Sequence, residues 1–200
     1  LPLALEQASA FMVRKGIGLS TYLKTFRKHR LSQLEKTMAK TGRYPSFLLK
    51  TWVLNFVAVA AENSAASELL IFSAFLAPDE IPYRILIAGA EHLGESLSGC
   101  LQHDDADEVR LAIGELLEPL SQYSLVSWNA RGESYSLHRL VQAVVRDGMD
   151  AATQTSWLER TISALDRAYP GSDFTEWSVC MTLLPHWLQV LKQAEKTEKG

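Results

Sequence analysis

The chain has 200 residues, 47% of them hydrophobic and 22% charged, with a formal net charge of −3, enough apolar material for a sizeable core in one large or two small domains. Its most apolar stretch, 47–61, is interrupted by Lys50, Thr51 and Asn55, which disfavours a bilayer span, so no membrane partner is expected. Cys100 and Cys180 form no Cys-x-x-Cys, and His29, His92, His103 and His186 lack ligand spacing; no metal site is expected, and free thiols fit the cytoplasm.

The opening Leu-Pro-Leu-Ala-Leu-Glu-Gln has no basic leader or cleavage pattern, so no signal peptide is expected, and a start without Met reads as that of an excised fragment. Residues 1–50 carry ten Lys/Arg against Glu6 and Glu35, a balance of +8, which leaves −11 for the remaining 150. Such asymmetry suits a basic surface for phosphates, two halves that attract each other or a neighbouring copy, or a solvated basic face.

Leu3 to Val13 reads as a helix closed by Gly16 and Gly18. Ser20 is placed to cap a second helix with Leu23, Phe26, Arg30 and Leu34 on one face, and 41–46 breaks the pattern as a linker. A long helix follows over Phe47–Glu62 with Leu49, Trp52, Val53, Phe56, Val57 and Ala60 inward. Asn63 or Ser64 starts the next helix, Ala65–Phe75, which Pro78 keeps from continuing; Ile81-Pro82 leads into a short helix through Ile87, and Glu95–Leu101 forms another. Asp105 and Glu108 are spaced like a capping box before Val109, Ala112, Ile113, Leu116, Leu117 and Leu120.

The stretch that organises the rest is 122–147. Ser124–Trp128 and Glu133–Leu137 are short and rich in β-branched or aromatic residues, and Asn129-Ala130-Arg131-Gly132 between them predicts a β-hairpin. Leu137, Leu140, Val141, Val144 and Val145 then recur as a one-sided helical stripe. His138 sits at that helix start, where unpaired N–H groups and the positive end of the dipole favour an anion; a half-buried histidine that merely completes the helix start is the alternative. Beyond Asp150, Trp157, Leu158, Ile162 and Leu165 make one stripe, and Trp177, Cys180, Leu184, Trp187, Leu188 and Leu191 another, predicting an antiparallel helix pair of the kind that begins a solenoid. The expected fold is therefore mainly α, with a winged-helix domain carrying one β-hairpin, followed by a helix pair similar to a tetratricopeptide repeat.

Three stretches resemble the NB-ARC family of STAND nucleotide switches, and more closely its bacterial members that end in tetratricopeptide repeats. Leu1-Pro2-Leu3-Ala4-Leu5 is similar to the family's Gly-Leu-Pro-Leu-Ala motif. Ala74-Phe75-Leu76-Ala77-Pro78 with Ile81-Pro82 is similar to the start of its winged helix, and Leu137-His138-Arg139 stands at the place of its Met-His-Asp motif. The resemblance implies the end of a helical subdomain over 1–40, a winged helix over 41–150 and the start of a solenoid over 151–200. It implies that Pro2 lies against the adenine and that His138 bonds the β-phosphate of ADP in the intact parent. Because Leu137 and Arg139 replace Met and Asp, the family's use of that acidic residue does not carry over.

The implied partners are the nucleotide-binding domain of the same chain, a protein ligand on the C-terminal repeats, and further copies on activation. The sequence has no Gly-x-x-x-x-Gly-Lys-Ser/Thr loop and no hydrophobic strand ending in a Mg²⁺-binding Asp, so this stretch is expected neither to hydrolyse ATP nor to bind ADP or ATP tightly alone. DNA is a poor fit as partner, since helix 105–121 offers Arg110 against five carboxylates. A protein-binding scaffold is compatible with the same pattern.

Overall fold

A computed structural model of the chain describes residues 2–28, 46–103, 105–128, 133–171 and 176–197, apart from the side chains of 28, 46–50 and 196–197. The described residues are mainly helical, with one small antiparallel sheet. α1 (Pro2–Lys15) opens on Pro2, whose fixed φ suits a first helical position, and ends before Gly16 at φ +61°, a value that a Cβ would resist. α2 (Leu19–Lys28) starts one residue ahead of Ser20, so Ser20 lies within its first turn and does not cap it. Tyr22 is buried on α2, Phe26 is half-buried and Leu23 is largely outward; Arg30, Leu34 and the linker at 41–45 lie outside the described residues.

α3 (Ser46–Glu62) buries Trp52 and Val53 as its periodicity predicts. Val57 and Ala60, expected inward, face solvent, while Thr51, Leu54, Asn55, Ala58 and Val59 are buried. The cause is two-sided cover: α1 packs on one flank and α4 (Ser64–Ser73) on the other, which widens and rotates the buried sector relative to a single stripe. Asn63 caps α4 through Oδ1, which accepts the Ala66 N–H at 3.0 Å. α4 is the hub of the fold. It buries Ala65, Ala66, Ser67, Leu69, Leu70, Phe72 and Ser73 and touches α3 and, beyond it, four later helices.

After α4 come β1 (Ile81–Pro82), α5 (Tyr83–Ala88), a 3-10 turn (Ala90–His92), α6 (Glu95–Leu101), α7 (Ala106–Gln122), β2 (Val126–Trp128), β3 (Ser134–Leu137), α8 (Arg139–Asp147), α9 (Ala151–Ala168) and α10 (Trp177–Thr197), of which α4 touches α6, α7, α8 and α9. Asp105 caps α7 by accepting the Asp107 and Glu108 N–H groups at 2.7 and 3.3 Å. The Glu108 carboxylate lies 3.5 Å from His103 Nδ1. The hairpin pairs Val126 with Leu137 and Trp128 with Tyr135, and β1 adds to its other edge in the order β1-β3-β2. β1 escapes a sequence reading because two residues, one of them proline, cannot display alternation.

Polar side chains close the buried ends of these elements. The Gln142 Nε2 donates to the Ser73 and Leu76 carbonyls at 2.9 and 3.0 Å, and Arg146 donates to Ala74, so α8 satisfies carbonyls at the C-terminal end of α4. The Ser73 hydroxyl donates to Leu69 at 2.6 Å, which makes the buried Tyr135 phenol, also at 2.6 Å, the donor to Ser73.

α9 packs so closely on α5 that a Cβ at Gly89 would lie 2.4 Å from the Ala164 Cβ. Arg84 Nε and Arg160 Nη1 tie it further by donating to the Ala168 and Leu93 carbonyls at 2.9 and 2.6 Å. α10 turns Leu183, His186 and Val190 inward. The stripe predicted on it is mostly the outward face: Trp177, Leu184, Leu188 and Leu191 are exposed together with Met181, while Cys180 and Trp187 are half-buried. Both faces of α10 are apolar, and periodicity alone cannot say which one α9 takes.

A candidate nucleotide cleft at His138

The hairpin delivers the chain to α8 through His138, which is the N-cap residue with φ −57° and ψ 131°. Its Nδ1 accepts the Leu140 N–H at 3.1 Å, while its carbonyl accepts the Val141 and Gln142 N–H groups at 2.8 and 3.1 Å. The helix start is thus less open to an anion than the sequence pattern predicts, because His138 itself takes the Leu140 amide. A nitrogen that accepts carries no proton, so the proton of the neutral ring resides on Nε2. The exposed side chain therefore presents an N–H donor at the positive end of the α8 dipole, held by a cap bond and not by packing.

His138 lines an open cleft of about 680 Å³. One wall is α1, through Leu3 and Glu6; the floor is the α7–β2 turn with Ser121, Ser124, Leu125 and Val126; the far wall is Ser127, Trp128, Ser136 and His138. Pro2, the other predicted site residue, is exposed one position before Leu3 and does not itself line the cleft. The structure thus brings the first turn of α1 to the same cleft as His138, although they stand far apart in the chain. Glu6 and His138 are the ionisable residues of the lining, and four serine hydroxyls accompany them. Such a surface can hydrogen-bond hydroxyl, amino and phosphate groups, with His138 and the helix dipole as its anion-favouring end. A separate cavity of about 160 Å³ between α3, α4 and α8 is lined by Trp52, Phe56, Ile71, Val144 and other apolar side chains and offers nothing to a phosphate.

A polar cluster behind the cleft joins α1 to the rest. Buried Asn55 Nδ2 donates to the Gln7 and Tyr123 carbonyls, both at 3.3 Å, and buried Gln7 Nε2 donates to the Ser124 carbonyl at 3.2 Å. The Glu62 carboxylate accepts the Tyr123 hydroxyl and Lys15 Nζ, each at 2.7 Å, and Arg14 Nη2 at 3.2 Å. Burial opposes ionisation of Glu62, yet the bonds from Lys15, Tyr123 and Arg14 prevail and hold its pKa at about 2. The same contacts raise Lys15, with the Glu62 bond as the largest cause. The signals of this cluster in the sequence are faint ones. Asn55 interrupts an apolar run, Gln7 shares a helical face with Ala4 and Phe11, and Glu62 puts a negative charge at a helix C-terminus, where the dipole disfavours it.

With this geometry in hand, comparison with known proteins gives three findings. Residues 57–154 match the model of a domain of unknown function, DUF7779. Over 203 aligned residues the chain is 28% identical to a nucleotide-binding leucine-rich repeat (NLR)-like protein of the fungus Hyaloscypha variabilis, covering 96% of this chain and 18% of that protein. The chain thus spans less than a fifth of that relative's length. No solved structure matches.

Proposed function

We propose that this chain is a regulatory piece of a nucleotide-binding signalling switch of the NLR/STAND type. The observation that carries the reading is the convergence of the first turn of α1 and His138 on one cleft, and the NLR-like relative over 96% of the chain supports it. In the finer form of the proposal, 1–40 ends a helical subdomain, 41–150 is a winged helix and 151–200 begins a solenoid of tetratricopeptide type. The succession α4, β1, α5 to α7, hairpin and α8 supports the winged helix, and the outward apolar face of α10 supports further stacked helices. ADP in the intact parent would sit between the preceding nucleotide-binding domain, Pro2 and His138, with Nε2–H donating to a phosphate oxygen. Loss of that bond on exchange would free the winged helix, shift the population toward an open form and allow copies to assemble.

A DNA-binding role is the weaker reading, because Asp105, Asp107, Glu108, Glu115 and Glu118 of the α7 stretch are exposed, the wrong sign for a helix among phosphates. The test is the nucleotide content and oligomeric state of the purified parent against His138→Ala. The switch reading expects ADP in a wild-type monomer, with loss of ADP or spontaneous assembly in the variant. Unchanged nucleotide and assembly would return His138 to a simple helix cap and favour a protein-binding scaffold.

A further inference from the structure

The two walls of the cleft come from stretches far apart in the chain. α1 supplies Leu3 and Glu6, and the turn after α7 runs into the hairpin that ends at His138. We propose that Glu62 is a positioning residue that sets the width of this cleft by clamping α1 to the α7–β2 turn. It contributes no atom to the lining. Its carboxylate instead binds both stretches at once, taking Lys15 and Arg14 from the last turn of α1 and the hydroxyl of Tyr123 from the turn.

The turn side of the clamp leads directly into the cleft floor. Tyr123 gives its carbonyl to Asn55, the next carbonyl, of Ser124, goes to Gln7 of α1, and Ser124 to Val126 line the floor. The placement of the charge argues for a clamp and not for general stabilisation. As the last residue of α3, Glu62 faces the negative end of its own helix dipole, and the bonds from Lys15, Tyr123 and Arg14 offset that repulsion. Without the carboxylate, Lys15 and Arg14 lose their counter-ion and the Tyr123 hydroxyl loses its acceptor. α1 then keeps the Gln7 and Asn55 bonds, the burial of Ala4 and Phe11, and the ring contact of Phe11 with Tyr123 at 6.1 Å, so it loosens without detaching. The polar bonds of Glu62 reach no residue of α4 or β3, so their loss acts first on α1 and the turn.

As a device acting on nucleotide, the clamp rests on the reading of the cleft given above, so the experiment separates the two. Hydrogen exchange by mass spectrometry and ADP titration are run on the full-length protein as wild type, Glu62→Gln, Glu62→Ala, Lys15→Ala and His138→Ala. In the Glu62 and Lys15 variants the amides of α1 are expected to exchange about tenfold faster, the equivalent of one pKa unit of the Glu62 interaction after discounting for its partial exposure. Amides of α4 and β3 should be unchanged, and the ADP dissociation constant should rise by a similar factor. High salt should loosen α1 in the wild type and not in Glu62→Gln. Unchanged α1 exchange, or equal loosening of α4 and β3, overturns the clamp, even where His138→Ala weakens ADP. If α1 loosens as expected while the wild type binds no ADP, the clamp stands and the nucleotide reading falls.

Discussion

Two titratable residues, buried His186 and the partly exposed Glu62, give the molecule separate acid thresholds. His186 on α10 is almost fully buried, its Nδ1 accepts the Ala77 N–H at 3.2 Å, and burial pushes its pKa from 6.5 down to about 4. The unfolded chain therefore binds this proton at a higher pH than the folded one. The stabilisation is fully present above pH 6.5 and is lost as pH falls through about 4, with an upper bound of roughly 3 kcal/mol. Glu62 is depressed from 4.5 to about 2, so its contribution is complete above 4.5 and lost only as pH falls through about 2. Acid titration followed by hydrogen exchange should loosen α10 first and α1 second. His186→Gln, whose amide oxygen can still accept from Ala77, should flatten the slope between pH 6.5 and 4; an unchanged slope would remove His186 as its source. His138 shows what sequence can and cannot deliver at this scale. Its place at the helix start was legible from the stripe that follows it, but the use of Nδ1 as a cap for Leu140 depends on a rotamer that no spacing encodes.

Among the elements, those with a local signature were the legible ones. α4, α6, α7 and the hairpin carry caps, turn residues or alternation in their own sequence, and the structure places each within a residue or two of its expected bounds. β1 and the wide buried face of α3 are imposed by partners distant in the chain, so local pattern misses them. The α5–α9 contact is a similar long-range fit and can be tested alone. Gly89 has an ordinary φ of −94°, so the cost of Gly89→Ala is collision: the new Cβ would lie 2.4 and 2.7 Å from the Cβ and Cα of Ala164 and 2.8 Å from the Ile85 carbonyl. Denaturant unfolding should show a loss of about 1–3 kcal/mol, restored only in part by adding Ala164→Gly, which removes the Cβ but leaves the Ala164 Cα and the Ile85 carbonyl; absence of any rescue would place the whole cost at those backbone contacts. At the other end of α4, Gln142→Leu takes the Gln142 donor from the Leu76 carbonyl and leaves the Ser73 carbonyl with the Leu76 N–H at 3.3 Å. A destabilisation of about 1–3 kcal/mol is expected in the same measurement, and a neutral outcome would mean that these carbonyls find other partners.

At the scale of the whole molecule, the charge division and the outward face of α10 bear on how the chain meets its surroundings. Arg14 and Lys15 of the basic segment are engaged with Glu62 inside the chain, so the surplus left for an outside partner is smaller than composition implies. α10 is the more telling surface. Trp177, Met181, Leu184, Leu188 and Leu191 succeed one another at alternating steps of four and three and are each 44–61% exposed. That spacing makes a narrow helical seam, the shape that another helix fills. A seam left uncovered should drive self-association of the 200-residue chain, and Leu184→Glu with Leu188→Glu should abolish it in sedimentation equilibrium. Because neither side chain supports the packing of α10 on α9, the double variant should unfold within about 0.5 kcal/mol of the parent sequence. A loss of several kcal/mol would mean that this face belongs to the core and that α10 is seated the other way round. Persistent association with unchanged stability would shift attention to the exposed Leu5, Val13 and Leu19 of α1 and α2.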